Sequence, residues 1–496
     1  MGAGVRAAVR VRLRSGTGAV RLLPTAVLLV AVVALLVANP AGHYGLVLAV
    51  VPFLAAAVHA VVGTAVIGVL TLGAYALLRH QLLEDGAAVW LIKLAFLATA
   101  SGLAVLMAQA RVRERELSHS RELALALQQG LLPQHLPATT AVRVCHRYVP
   151  ADTEAGVGGD WYDVIPLSGA RVALVIGDVA GHGIHAAAMM GRLRTAVHTL
   201  ADLELAPDEL LARMDDLVAR TGASEQRYEL AATCLYLVYD PVTARCSMAA
   251  AGQPPPALLH PDGRVEFAVL PEHPPLGVGG TRFDTVDLPI APGTVIALYT
   301  DGLLDLRRHH SDTALSHLAD ALGASAGAGG GTLDEIADRV CASPYNTTDD
   351  DIALLLARTR TLPSGAVATW EFPAATRSVP RARTAVTAQL EAWGLQELAF
   401  ATELAVSELV TNAVVHASGP LTVRLIKDQS LICEVADTSD SAPRPRQAGT
   451  LDEGGRGLDL VSKVAQRWGT RYTDTGKTIW IEQPLPVRTP AARQPG

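Results

Sequence analysis

Leu22–Ala38, Tyr44–Leu78 and Ala87–Ala110 are apolar runs, and Lys93 in the third is the one Lys, Arg, Asp or Glu within them. A run of about 20 such residues crosses a hydrocarbon core of roughly 30 Å as a helix, because the backbone must satisfy its own polar groups there. The middle run is long enough for two short spans with a tight turn, and His59 and Gly63 lie near its centre. Four transmembrane helices are therefore expected over residues 1–110. Arg6, Arg10, Arg12, Arg14 and Arg21 precede the first run and Arg111 and Arg113 follow the last. Basic residues on both flanks place both ends of the bundle on the cytoplasmic side of a cell membrane. A cleaved signal peptide ending near Ala38-Asn39-Pro40-Ala41 is the competing reading, and the further apolar segments that follow weigh against it. Lys93 is expected to snorkel or to face the bundle interior.

Beyond residue 110 the pattern changes. Residues 111–133 are charged and helical in period, with Leu117, Leu123 and Leu127 forming a partial apolar stripe that Pro133 ends. Such a stripe suits a dimerising helix that passes a signal from the membrane, or a solvated connector; a homodimer is the expectation. Residues 134–359 read as one α/β domain, 367–484 as a second, and 485–496 as a disordered Pro/Arg-rich tail. The formal net charge of −7 leaves no global basic field to hold nucleic acid. Five cysteines are scattered without a CxxC or Cys/His cluster, so neither a zinc site nor a disulfide framework is expected.

Four acidic sites in the first α/β domain are set apart by their surroundings. Asp160 lies in GGDWYD. Asp178 follows the apolar run Val172–Ile176. Asp301 follows Val295–Tyr299, and Asp350 and Asp351 precede Ile352–Leu356. Three of these are carboxylates at strand ends, where loops gather. Several carboxylates converging on one point repel unless a cation lies between them, and hard divalent ions take oxygen ligands. Two ions roughly 3.5–4 Å apart can bind a shared hydroxide and clamp phosphoryl oxygens. For any single Asp beside Gly, a plain turn is the ordinary explanation. Four in this order shift the balance.

GGDWYDV, GDVAGHGIHAAAMM, AGQPPPALL, PPLGV, LYTDGLLD and DDIALLLAR occur in that order, with LQQGLLP before them. In this the chain resembles the SpoIIE-type branch of the metal-dependent protein phosphatase 2C superfamily, over roughly Leu127–Arg358. The resemblance implies a β-sandwich flanked by helices that binds a pair of Mn²⁺ or Mg²⁺ ions. It implies hydrolysis of phosphoserine or phosphothreonine on an anti-sigma-factor antagonist. Carried over by motif, Asp178 bridges the metals, Asp160 serves one of them, and Asp301 and Asp350 complete the other. Asp351 competes with Asp350, and the Val179 carbonyl is a further ligand. Gln253 stands where the family usually has His, which bears on substrate contacts. His182 and His185 are read as helix-entry residues. The GGD of diguanylate cyclases is excluded because Trp161 and Tyr162 replace the residues its chemistry requires.

In the second domain Phe400–Ala417 reads as one helix with Glu408 and Asn412 at i and i+4, on one face. An Asn oxygen can hold Mg²⁺ against phosphates, and a Glu one turn away can activate an attacking group. Asp437, after the strand Leu431–Val435, can accept a hydrogen bond from an adenine amine. Gly454-Gly455-Arg456-Gly457 opens a helix whose N-terminus suits phosphate. Gly476-Lys477-Thr478 precedes the strand Ile479–Ile481. SELVTNAVVHA and DEGGRGLDLV resemble the GHKL ATPase fold, specifically the serine kinases that act as anti-sigma factors, over about Trp370–Glu482. This implies ATP with Mg²⁺, Asn412 on the metal, Asp437 on adenine, Glu408 as base, and Gly455, Gly457 and Thr478 as further nucleotide-binding residues. The Asp437 box lacks the glycine of many relatives. No Walker loop is present, since Arg471 stands where its first glycine belongs. The expected whole is a multidomain, membrane-anchored phosphatase with an ATP-binding domain that serves as an anti-sigma kinase or sequesters a sigma factor. The alternative is a C-terminal module that only binds nucleotide or partner.

Overall fold

The computed structural model describes residues 24–30, 33, 48–77, 87–133, 136–150, 158–181, 183–224, 230–304, 311–324, 331–342, 350–417, 419–439, 457–473 and 476–486 of the chain. It divides into two compact units, residues 1–122 and 123–496.

The first unit is helical. Residues 24–30 form a helical stretch, followed by α1 (Val50–Val58), α2 (Val61–Leu77) and α3 (Ala87–Leu131). The middle apolar run thus breaks at His59-Ala60, as two segments require. Its first half is a helix of 9 residues, which rises only about 14 Å. The Arg111 guanidinium donates to the carbonyls of Ala56 and Ala57 at the C-terminal turn of α1, where a cation complements the helix dipole. Among the described residues two stretches are long and apolar enough to cross a bilayer, Ala87–Arg115 and Gln396–His416. The second is the core helix of the C-terminal domain. The four spans expected are therefore not all represented, and parts of the first and second runs lie outside the described residues. So does the tail beyond residue 486, and so do the side chains of the linker stripe.

The second unit opens with a sandwich of two five-stranded antiparallel sheets. One has the order β1 (Val142–Val149), β10 (Ile352–Thr359), β9 (Val295–Tyr299), β6 (Ala257–Leu259), β7 (Val265–Phe267). The other has the order β2 (Trp161–Pro166), β3 (Val172–Val179), β4 (Ala232–Asp240), β5 (Arg245–Ala251), β8 (Val286–Pro289). Helices α4 (Ile184–Asp202) and α5 (Pro207–Ser224) cover the second sheet; α6 (Ser311–Gly323) and α7 (Leu333–Cys341) cover the first. The central strands are buried on both faces, which is why they read as continuous apolar runs rather than alternations. In β3, Val172, Leu174 and Ile176 point between the sheets, while Ala173 and Val175 meet the helices. In β10, Ala353, Leu355 and Ala357 take the inter-sheet side. This parity decides where the acidic residues aim. Asp215 of α5 is buried and accepts from the N–H groups of Gly277, Gly279 and Thr281, pinning the loop that follows Leu276.

The C-terminal domain is one antiparallel sheet, in the order β11 (Val367–Phe372), β12 (Leu421–Lys427), β13 (Ser430–Asp437), β15 (Gly476–Pro484), β14 (Arg467–Thr473). Three helices, α8 (Ser378–Ala392), α9 (Ala399–His416) and α10 (Gly457–Val464), lie on one face. Val423, Leu425, Cys433, Val435, Ile479 and Ile481 make that face, and every alternate residue points the other way. All five cysteines are free thiols.

Candidate functional site

The acidic residues of the sandwich meet at one end of the gap between its sheets. Asp178 shares the parity of Val172, Leu174 and Ile176, so it faces inward. Asp160 precedes β2 on the side of Tyr162 and Val164, and Asp351 precedes β10 on the side of Ala353 and Leu355. Thr300 follows Tyr299 and turns the same way. Its hydroxyl donates to Asp160 Oδ2 at 2.7 Å and accepts from the Ala353 N–H at 2.9 Å. Asp301 begins a 3-10 turn, Asp301–Leu303, and is exposed at the mouth. Asp350 is also exposed, and its Oδ1 accepts from the Asp351 N–H at 3.0 Å. Asp351 itself is 5% exposed.

Backbone and carboxylates approach so closely here that the glycines are obligatory. A Cβ on Gly158 would fall on Asp351 Oδ2, and one on Gly159 would lie 2.6 Å from Asp178 Oδ1 and also meet the Val179 carbonyl. The Val179 N–H donates to the Gly159 carbonyl at 3.2 Å, tying the Asp160 loop to the Asp178 strand.

The electrostatics match this crowding. Burial first, and then the charges of Asp301 and Asp350, push the Asp178 carboxyl up to about 7. Asp160 is held well above the ordinary carboxylate range, by burial and then by Asp178, with the Thr300 hydrogen bond opposing. Among the described residues no three acidic, His or Cys side chains are already closed around one point. The carboxylates ring a mouth and repel across it, an arrangement that a divalent cation relieves. The donor set is all oxygen, with a carbonyl beside it, and fits Mn²⁺ or Mg²⁺.

Sequence reasoning missed the residues behind the ring. Thr300 is one. Thr233 is another: its hydroxyl accepts from the Asp178 N–H at 3.2 Å and from Gln253 Nε2 at 2.8 Å. Gln253 therefore braces the Asp178 strand, and its buried Oε1 has no hydrogen-bond partner among the described residues. Asp163, 3% exposed in its side chain, accepts from Arg194 Nε at 2.5 Å and pairs with His198 Nε2 at 2.8 Å, clamping α4 to β2. His185 is exposed in the first turn of α4, and His182 lies outside the described residues. A groove of about 870 Å³ runs between α4 and α5, lined by Ile184, Leu217, Arg192 and Arg220 among others; Asp160, Asp178, Asp301, Asp350 and Asp351 take no part in it.

In the C-terminal domain Glu408 and Asn412 lie half-buried on α9, one turn apart. Asp437 ends β13, its side chain 2% exposed, and its Oδ1 accepts from Lys477 Nζ at 3.1 Å and from the Ser439 N–H at 2.8 Å. Lys477 is the direct cross-strand partner of Asp437, and Thr478 that of Ala436. Partners share a face, so Thr478 points away from Asp437, and Lys477 takes the position beside it. Gly476 (φ 148°) is required because a Cβ there would strike the Asp437 carbonyl. Gly457 opens α10; Gly455 lies outside the described residues.

Residues 168–360 match the family model described as Stage II sporulation protein E, and residues 372–482 match that of the histidine kinase-like ATPase domain. Phosphoserine phosphatase RsbP of Bacillus subtilis is 26% identical over 219 residues, covering 42% of this chain and 53% of that protein. Phosphoserine phosphatase RsbU of the same organism is 24% identical over 195 residues, covering 39% of this chain and 56% of that protein. The chain thus spans about half the length of these relatives. A crystal structure of the RsbU and RsbW domains of Rv1364c from Mycobacterium tuberculosis is 24% identical and covers 72% of this chain and 96% of that one, with a TM-score of 0.42. The chain thus carries a region similar to the SpoIIE family over residues 168–360, followed by one similar to the histidine kinase-like ATPase domain over residues 372–482.

Proposed function

We propose that this chain is a membrane-anchored, metal-dependent phosphoserine/phosphothreonine protein phosphatase, with catalytic domains in the cytoplasm and an ATP-binding domain at its C-terminus. One observation carries the reading: acidic residues from four separate segments ring one mouth, and their mutual charge with burial lifts Asp178 to about 7. Asp160, Asp178, Asp301, Asp350 and the Val179 carbonyl would hold a pair of Mn²⁺ or Mg²⁺ ions. Those ions would supply the Lewis acid and the activated water for attack on phosphorus. The chain's own part is positional. Thr300 fixes the Asp160 rotamer, Thr233 and Gln253 brace the Asp178 strand, and Gly158 and Gly159 keep side chains out of the mouth. Asp178 would have to shed its proton to serve as a ligand.

The ordered motifs and the relatives named phosphoserine phosphatases support an anti-sigma-factor antagonist as the substrate, with a sigma factor as a further partner. The apolar segments before Arg111 support multi-pass anchoring, and the linker helix a homodimer. The test is Mn²⁺-dependent release of phosphate from a phosphoserine antagonist by the full chain. Asp178→Asn and Asp301→Asn should abolish it, and normal turnover in either variant overturns the assignment.

For the C-terminal domain, Glu408 as base and Asn412 on Mg²⁺ describe a kinase that reverses the phosphatase reaction. Asp437 would read adenine, with Gly455 and Gly457 at phosphate. The engagement of Asp437 by Lys477 favours the second reading, a module that binds nucleotide or partner without transferring phosphate. ATP titration of the full chain, with Asn412→Ala as control, separates them from simple docking: ATP affinity lost in the variant supports a nucleotide site, and none in the wild type leaves only docking.

A further inference from the structure

Two catalytic-type domains on one chain need only a flexible tether, yet here they share a buried charged contact. The β2–β3 hairpin turns through Ser168-Gly169-Ala170-Arg171, with Gly169 (φ 67°) and Ala170 (φ 61°) both left-handed, as a type I′ turn requires. Its tip abuts the outer face of the C-terminal sheet. A Cβ on Gly169 would lie 2.7 Å from Glu434 Oε1 of β13, so a larger residue would push that carboxylate out of its place in the contact. Arg471 of β14 reaches Glu434 Oε1 at 3.2 Å and, in the other domain, Glu204 Oε2 at 3.7 Å and Ser168 Oγ at 3.4 Å. Glu204 also pairs with Arg171 and accepts from the Ser168 N–H at 3.1 Å. Arg424 completes the cluster on Glu434 at 3.3 Å. The side chains of Glu204 and Glu434 are 5% and 4% exposed, those of Arg171 and Arg471 14% and 16%.

Four charges this deeply buried carry a desolvation cost that only mutual pairing offsets. Glu204 is held at φ 56°, a conformation that non-glycine residues adopt at a cost of order 1 kcal/mol or more. Thr140 Oγ1 to Asp428 Oδ2 at 2.8 Å adds a second interdomain bond elsewhere.

The elements meeting at this cluster are those that carry the sites. The hairpin's open ends, about 25 Å away along eight residues of β3, bear Asp160 and Asp178. Glu204 closes α4, which begins at Ile184 just beyond the Asp178 loop. On the other side Glu434 lies on β13, which ends at Asp437, and Arg471 is the cross-strand partner of Thr478, next to Lys477. We propose that the Arg171–Glu204–Arg471–Glu434 cluster locks the two domains into one body and couples the C-terminal domain to the metal site through the β2–β3 hairpin and α4. The coupling half rests on the metal-site reading above; the lock does not.

The experiment is a double-mutant cycle on the full chain in detergent, with Glu204→Gln, Arg471→Gln and the pair. One readout is the rate of tryptic cleavage after the exposed Arg360, in the segment joining the domains. The other is Mn²⁺ affinity by calorimetry. Each single variant should speed cleavage about tenfold, the equivalent of about 1.4 kcal/mol, and weaken Mn²⁺ binding severalfold. The double variant should match the singles, since the partner is already lost. Multiplying effects, or singles indistinguishable from wild type in cleavage, overturn the lock. Altered cleavage with unchanged Mn²⁺ affinity overturns the coupling. Wild-type chain that binds no Mn²⁺ overturns the metal-site reading and the coupling with it, while cleavage still reports on the lock.

Discussion

At the mouth of the sandwich, Asp178 and Asp160 face other carboxylates and no cation of the protein reaches them among the hydrogen bonds described above. At the end of β13, Asp437 is buried, as Asp160 is, but has Lys477 against it at 3.1 Å. The two buried acids differ in where their balancing charge comes from. The first has no balancing charge of its own beside it and would draw one from ions in solution under the proposed metal-site reading, and its carboxyls rise. The second is neutralised from within, so its carboxylate is already committed. A cluster of acids that repel is a stronger sign of metal chemistry than a buried acid with its own lysine, because only the former costs stability without a ligand.

The sharpest way to break this contrast is Asp178→Asn. Phosphatase activity should fall by about a thousandfold or more, the scale of losing several kcal/mol of charge stabilisation. In metal-free protein at pH 8 the same variant should raise the melting temperature by about 2–4 °C per kcal/mol of repulsion relieved. The sign follows from the raised carboxyl. Its stabilising effect is present below the unfolded value of 3.8 and is lost as pH rises through about 7. An unchanged or lower melting temperature would mean that Asp178 is not under repulsion.

Lys477→Met should do the reverse in the other domain. It strands the Asp437 charge and should destabilise that domain by about 3–5 kcal/mol, measured by denaturant unfolding of the full chain. A shift below 1 kcal/mol would show that solvent already screens the pair. Next in size is the pH response. Half-saturating Mn²⁺ should rise about tenfold per pH unit as pH falls below about 7, since ion and proton compete for Asp178. A flat profile from pH 8 to 5 would remove Asp178 from the ligand set. Smallest is Thr300→Val, which deletes the donor to Asp160 and the acceptor for the Ala353 N–H. About 1–3 kcal/mol of stability should go, with a modest rise in metal requirement visible in the same titration.

Three of the acids were legible in the sequence because each stands next to a short uninterrupted apolar run that turns out to be a strand buried on both faces, while Asp160 was legible from its GGDWYD setting. Val172–Ile176 and Val295–Tyr299 announce their own ends, and so Asp178 and Asp301. Thr300 and Thr233 were not legible. Their roles depend on which strands are neighbours, Thr233 opposite Asp178 and Thr300 beside Ala353, and pairing between distant segments leaves no local trace. Lys477 was missed for a related reason. Thr478 looked like the ligand by type, but parity along β15 is set by its register with β13, and that puts the lysine beside Asp437. The middle apolar run betrayed its break at His59, whereas the helix of 9 residues that precedes it was masked by unbroken hydrophobicity.

Asp215 offers a last lesson. Three alternate N–H groups, those of Gly277, Gly279 and Thr281, point at one carboxylate rather than at a neighbouring strand. That side chain does the work of a missing strand, supplying acceptors where no ladder exists. Segments flanking the loop are thereby freed from holding its shape. Insertions on either side should be tolerated as long as α5 keeps this one acid, and replacing it with alanine should unfasten the whole turn at once.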